Sequence, residues 1–457
     1  MESPISDHRF SEVLLDIDAL FFSITDKTSK ILSGNDYFVR ISEYAKPELI
    51  GKYHNVIRHP EMPKSVFRIF WEHLESGRPV VAYVKNKAKS GRFYWVLAAA
   101  FPMNDVYISI RIKPTGRLFS TVKELYRKVL YAELSDGVEG GMEYFGTWLR
   151  ENGYESYDAL MSDILVQEVQ SRQTLLSEGF AHTLGERCSL LPGKIAQTFS
   201  DASALMSLYV RWFERIGKLI DSKHEFETKS RSLRQIARET VFLSLNASVS
   251  SYKVEEGGET FGILARDIRT NAKENDHLIS LVDEEIHNLA LALNDLVLYV
   301  AGMQMQTEAF VYFLSEVTSL ECKPEDKRDN LYNLEHLIEL QVMTSQTTSA
   351  LQKKVQEHLT TSFKRLEQLE QQVMYLGYVQ IYGIIEAASN PQEKVNFTEI
   401  FSQLKKHVDM TASEVEEMQK GMLELSRVGQ NLFTESTRSD TLLENLTLTL
   451  KALKGEL

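Results

Sequence analysis

The sequence predicts a small α+β domain, an antiparallel sheet with flanking helices, followed by a long all-α antiparallel coiled coil: two tandem helical hairpins forming a four-helix bundle. Three observations point there. Seven of the 10 prolines lie before residue 115 of a 457-residue chain, and a proline inside a helix costs about 3 kcal/mol. Within that N-terminal stretch, runs rich in β-branched and aromatic residues read as strands. After Pro192 the apolar residues recur in a 4,3 alternation, the spacing of a coiled-coil seam.

Taken in order, residues 1–14 form an N-terminal segment and 15–117 the α+β domain. Its clearest strands are Val80 to Val84, Phe93 to Phe101 and Val106 to Ile112, the first two joined through Lys89-Ser90-Gly91, where glycine supplies a positive φ. Residues 118–191 read as a helical coupling segment with loops at Gly137, Gly140-Gly141 and Asn152-Gly153. Residues 192–320 form the first hairpin with its tip near 253–260, 321–331 a linker around Pro324, and 332–457 the second hairpin with its turn near 389–393, at Pro391.

The seams are continuous. One runs Phe261, Leu264, Ile268, Ala272, Asn275, Ile279, Val282 and on to Met303; another runs from Val355 to Leu376; the last runs from Leu404 to Leu453 without a slip. The breaks divide 193–457 into four segments of about 60 to 65 residues, roughly 90 Å each at 1.5 Å per residue. Equal arms joined by short turns imply antiparallel neighbours. The two tips also match: Asn246 precedes Phe261 by 15 residues and Tyr382 precedes Phe397 by 15, an internal repeat at an offset of 136. One chain is therefore expected to supply both hairpins of a bundle and to fold as a pseudo-dimer.

Composition narrows the function. A net charge of −13 disfavours nucleic acid and anionic lipid. Cys188 and Cys322, without CxxC spacing, form neither a disulfide framework nor a zinc site and fit a reducing cytoplasm. The start, MESPISDHRF, has no signal-peptide character, and the apolar stretch Leu289 to Leu314 is interrupted by Asn294, Asp295, Gln304, Gln306 and Glu308. A soluble cytoplasmic protein without membrane insertion is expected. No P-loop, nucleophile elbow or kinase glycine set is present, Gly137 to Gly141 is a turn, and no enzyme is predicted.

Two stretches resemble known families. Asn35-Asp-Tyr-Phe38, Glu48-Leu-Ile-Gly51, the run His54-Asn-Val-Ile-Arg-His-Pro-Glu-Met-Pro63, then Phe67, Trp71, Asn86 and Tyr94-Trp-Val96 resemble the PAS domain of aerotaxis-type receptors. The resemblance implies a redox or energy sensor that cradles FAD, with Asn35, Arg58, His59, Glu61, Phe67 and Asn86 as candidate contacts. Two positions depart from the family: Glu61 replaces the usual Asp, and Val80 stands where a flavin-associated aromatic is usual. Haem through His54, His59 or His73, or no cofactor, stay open.

The run from Ile236 to Val249, centred on Leu245-Asn246-Ala247, with Glu256, Gly258, Phe261, Ala265 and Ile268-Arg269, is similar to the signalling hairpin of methyl-accepting chemotaxis proteins. That likeness implies protein partners, a chemotaxis histidine kinase and its coupling adaptor, docking at Phe242, Leu245, Asn246, Val249, Glu256 and Phe261. Arg238, Glu239, Ser250 and Ser251-Tyr252 depart from the family, and the second hairpin is more degenerate, with Tyr382 at the Asn position. No methylation site stands out; Glu416-Glu417 reads as a solvated face. The alternative function is a cofactor-free PAS and coiled-coil scaffold without kinase coupling.

Overall fold

The computed structural model describes residues 11–176, 193–253, 258–318, 324–389 and 394–456. Cys188, Cys322, Pro192, Pro391, Glu256 and Gly257 lie outside the described residues. The chain forms two compact units, one of Met1–Glu214, Asn294–Ser349 and Glu435–Leu457, the other of Arg215–Leu293 and Ala350–Thr434.

The first unit contains a five-stranded antiparallel sheet: β1 (Phe21–Asp26), β2 (Ile31–Gly34), β3 (Val80–Lys87), β4 (Phe93–Met103) and β5 (Val106–Ile112), in the order β2-β1-β5-β4-β3. Between β2 and β3 the chain makes α1 (Asp36–Ser42), α2 (Lys46–Leu49), a 3-10 turn (His54–Ile57) and α3 (Lys64–Glu75). The long apolar runs of β1, β3 and β4 are buried almost without alternation, the pattern of a sheet covered on both faces. The inner face carries Ser23, Thr25, Asn86, Ala98, Ala100 and Arg111 toward a cavity under α3.

Helices cover the outer face. These are α4 (Leu118–Glu151), helical on either side of Gly137, where φ is 70°, and α5 (Tyr157–Leu176). The buried Glu168 carboxylate of α5 accepts from Tyr83 Oη of β3 at 2.6 Å and from the Thr115 amide at 2.6 Å. Tyr157 Oη donates to Val81 O at 2.7 Å. From α4, Glu133 accepts from the backbone amides of Lys64 and Ser65 at 2.9 and 2.6 Å, so a carboxylate from another helix caps α3 at its positive end.

Two long helices complete that cover: the C-terminal part of α7 (Gly258–Val317) and the start of α8 (Pro324–Ser389). Phe22 of β1 meets Phe313 edge-on at 4.9 Å, and Ser33 Oγ donates to Asn333 Oδ1 at 2.8 Å. A Cβ on Gly302 would stand 2.7 Å from the Phe101 ring, so only glycine admits that approach. Arg172 of α5 forms a buried ion pair with Glu308 of α7 and donates to Ile17 O. This packing explains the apolar composition of α7. It alone among the described helices is long and apolar enough to cross a membrane, yet 67% of its apolar 18-residue stretch is buried inside the protein.

Residues 193–214 of α6 (Gly193–Ser251) and 435–456 of α9 (Lys394–Glu456) belong to the same unit. Tyr209 and Ser439 hydroxyls meet at 2.9 Å, and Trp212 Nε1 donates to Glu435 at 2.9 Å.

The second unit is built from the remaining stretches of the same four helices, with one core holding Leu243, Ala247, Phe261, Leu264, Ile268, Leu376, Val379, Phe397, Ile400, Phe401 and Leu404. Both hairpins contribute to this core, so within this chain they pack on each other. The seam residues read from the sequence, from Ile268 to Ile286, Val355 to Val373 and Val415 to Leu432, are buried. The starts of α7 and α9, Gly258 and Lys394, differ by the repeat offset of 136. Phe261 and Phe397, also 136 apart, stack at 3.8 Å with their planes 9° from parallel.

Candidate functional site

The cavity on the inner face of the sheet encloses about 240 Å³. Apolar walls come from Phe67, Phe70, Trp71 and Leu74, which α3 presents at helical spacing, and from Tyr107 of β5, whose ring meets Trp71 at 5.7 Å. Polar groups come from Thr25, Ser29, His54, Asn55, Arg58, Asn86, Ser109 and Arg111. This volume is just below the roughly 300–1,000 Å³ of drug-sized sites and suits one planar ring system rather than a whole dinucleotide.

Arg111 dominates its electrostatics. The side chain is buried, and Nη2 donates to Ser23 Oγ at 2.9 Å and to His54 Nε2 at 2.7 Å. Its guanidinium lies 5.6 Å from the Phe38 ring. Burial lowers the guanidinium pKa to about 10, so the group stays charged at neutral pH. Enclosure, and then the Arg111 charge, hold His54 well below the ordinary histidine range. His54 is therefore neutral, with Nε2 as the acceptor and the proton assigned to Nδ1 by that hydrogen bond. Arg111 Nη1 and Asn86 Nδ2 are buried without a hydrogen-bond partner. Both are donors.

The residues expected to contact a flavin divide into two groups. Arg58, Phe67 and Asn86 line the cavity; Arg58 Nη2 donates to Met62 O at 3.0 Å and its guanidinium lies over Phe67 at 4.1 Å. Burial lowers the Arg58 pKa against the pull of Glu133. Asn35, His59 and Glu61 are placed elsewhere. Asn35 caps α1: its Oδ1 accepts from the Phe22 and Phe38 amides at 2.9 and 3.2 Å, and its Nδ2 donates to Leu20 O at 2.8 Å. His59 Nδ1 accepts from the Glu61 amide at 3.2 Å, and its pKa is lowered by burial and by Lys85. Glu61 pairs with Lys85 Nζ at 2.5 Å, which lowers the carboxyl pKa. These three hold turns and strands together.

Of the three histidines considered for haem, only His54 lines the cavity, and its Nε2 faces Arg111. His73 is held by Ile69 O at 2.8 Å and Asp158 at 2.9 Å.

At the hairpin end, Phe242, Leu245, Asn246 and Val249 are exposed on one stripe of α6, Phe242 by 67%. Phe261 is core instead: 1% exposed, it stacks on Phe397, so a partner cannot reach it at the surface. Repeat-equivalent positions on α8, Tyr378, Ile381, Tyr382 and Ile385, are exposed as well.

Sequence reading missed Arg111 and gave His54 no special place. A signal was present. Tyr107, Ser109 and Arg111 alternate along an otherwise aliphatic strand, and an arginine inside such a strand needs a buried partner.

Residues 31–107 match the PAS fold family. The chain is 38% identical over 137 residues to the aerotaxis receptor of Escherichia coli K12, covering 29% of this chain and 27% of the receptor. It is 23% identical over 273 residues to the biofilm dispersion protein BdlA of Pseudomonas aeruginosa, covering 58% of this chain and 55% of that protein. It thus spans about a quarter and about half the length of these two relatives. The second match is longer than the PAS region, so it extends into the helices. Among solved structures, a light-oxygen-voltage domain studied with a flavin analogue is 18% identical, covers 23% of this chain and 84% of its own, and has a TM-score of 0.21.

Proposed function

We propose that this chain is a signal transducer whose PAS domain senses redox or energy state through a bound flavin and whose helical bundle passes the change to a protein partner. The observation that carries the reading is the two-faced sheet. Its inner face holds an aromatic-lined cavity with two unsatisfied donors, Arg111 Nη1 and Asn86 Nδ2, while its outer face packs on α5, α7 and α8. Donors without partners suit the acceptor-rich edge of an isoalloxazine, and Phe67, Phe70, Trp71 and Tyr107 suit its ring faces.

When bound, a flavin supplies reversible one- or two-electron chemistry. Arg58, Phe67, Asn86 and Arg111 would hold it, with Asn35, His59 and Glu61 bracing the walls. A change of charge on the inner face moves β1, β3 and β5 against the helices behind them, and packed interfaces respond by shifting between discrete arrangements. The output reading rests on the exposed stripe Phe242, Leu245, Asn246 and Val249, with Glu256 nearby in sequence, as the docking site for a chemotaxis-type kinase and its coupling adaptor. In this reading one chain supplies both hairpins as a pseudo-dimer.

The absorption spectrum of the full chain after gentle purification tests the input. Flavin bands that bleach with dithionite, together with altered hydrogen exchange in α5 and α7, are expected. A Soret band would replace flavin by haem. A colourless chain would favour the cofactor-free scaffold, consistent with Asn35, His59 and Glu61 having structural partners. For the output, adaptor co-purification that is lost in Phe242→Ala or Asn246→Ala is expected; an unchanged yield in both would remove the docking site from that stripe.

A further inference from the structure

We infer that Arg111, clamped by His54 and Ser23, is the contact for the electron-rich edge of the cavity's ligand, so that the cavity favours a ligand form carrying negative charge at that edge. The geometry is one of preorganisation. Two of the guanidinium's directions are fixed by Ser23 at 2.9 Å and His54 at 2.7 Å, and Phe38 lies 5.6 Å from it. The other terminal nitrogen, Nη1, is buried with no hydrogen-bond partner.

A buried cation normally has a carboxylate, because an isolated charge away from water costs several kcal/mol. Neither partner named for Arg111 is an anion: Ser23 and neutral His54 neutralise nothing. Asn86 Nδ2, on the same inner face, adds a second buried donor without an acceptor. Both donors call for acceptors, and the Arg111 guanidinium calls for negative charge. This specifies the ligand's chemistry from the protein side. It excludes a purely apolar ligand and a cationic one.

Flavin is the ligand under the function proposed above, and for that identity the inference rests on that reading. Arg111 would then lie at the pyrimidine edge, whose N1 and O2 gain negative charge when the ring takes two electrons from a donor such as dithionite and only one proton, at N5. Arg111 stabilises that form relative to the oxidised one. His54 keeps the guanidinium aimed; it is a positioning residue.

The test uses the full chain, wild type, Arg111→Gln, Arg111→Lys and Asn86→Ala, each checked for folding by circular dichroism, with flavin content and midpoint potential read by spectroelectrochemistry. Arg111→Gln is expected to weaken reduced flavin at least tenfold relative to oxidised, about 30 mV for a two-electron couple. Arg111→Lys, which keeps the charge, shifts the ratio less. Equal ratios in wild type and Arg111→Gln, within twofold, overturn the inference while leaving the flavin reading intact. If Arg111→Gln does not fold, Arg111→Lys and Asn86→Ala decide between the same outcomes. If wild type binds no flavin, that reading fails separately, and native mass spectrometry of the purified chains continues the test. A retained carboxylate- or phosphate-bearing ligand lost with Arg111 supports the inference. No retained ligand, or one indifferent to Arg111, overturns it.

Discussion

The ends of the two hairpins share one plan and differ in how they fill it. At the centre Phe261 and Phe397 occupy equivalent positions and stack at 3.8 Å, as a pseudo-twofold would place them. One step away the equivalence breaks: Ala247 and Ala265 of the first hairpin correspond to Gly383 and Phe401 of the second. A Cβ on Gly383 would overlap the Phe401 ring, so the large residue is tolerated because its neighbour lost a methyl. On the surface Asn246 corresponds to Tyr382. Close packing constrains the sum of volumes in the duplicated core but not the identity of exposed residues. Hence the core keeps the repeat while the flanks diverge.

The largest test removes the shared centre. Phe261→Ala or Phe397→Ala is expected to cost about 3–5 kcal/mol in chemical denaturation. The double variant should cost less than the sum, because removing the second ring no longer breaks the stack. Additive losses would mean that the two rings are independent, against a pseudo-twofold contact.

A smaller effect separates the two fillings. Gly383→Ala should lose about 1–3 kcal/mol through overpacking against Phe401, and Phe401→Leu in the same chain should recover part of it. In the first hairpin, Ala247→Gly should cost only about 0.5–1 kcal/mol. Similar losses at both sites would contradict the volume exchange.

The smallest is a pH effect carried by a residue that only one hairpin has. His407 of the second corresponds to Asn271 of the first. Burial lowers the His407 pKa although Glu239 faces it at 3.6 Å, and Thr240 Oγ1 lies 3.0 Å from its Nδ1. A histidine depressed in the folded state binds its proton more readily when unfolded, so stability falls as pH drops below about 6.5. His407→Gln should flatten that slope between about pH 6.5 and the lower folded value. Asn271→Gln should leave it unchanged.

The bundle was far more legible in the sequence than the cavity. Heptad spacing from Phe261 to Met303 and from Leu404 onward follows from helical geometry, and breaks at Pro324 and around Gly257-Gly258 are local signals. The family resemblance names Arg58, Phe67 and Asn86, and all three line the cavity. The motif equally nominated Asn35, His59 and Glu61, whose atoms meet backbone and Lys85 instead. Sequence spacing does not say which side of a turn faces a cavity.

Sequence by itself determined the elements, the 136-residue repeat and the seams, since each depends on residues a few positions apart. Only the tertiary structure decided that Phe261 faces Phe397, that the apolar stretch of α7 is spent on Phe22 and Phe101, and that Arg111 meets His54 across 57 residues of chain. Those contacts join residues distant in sequence, where packing and desolvation rather than local propensity set the free energy.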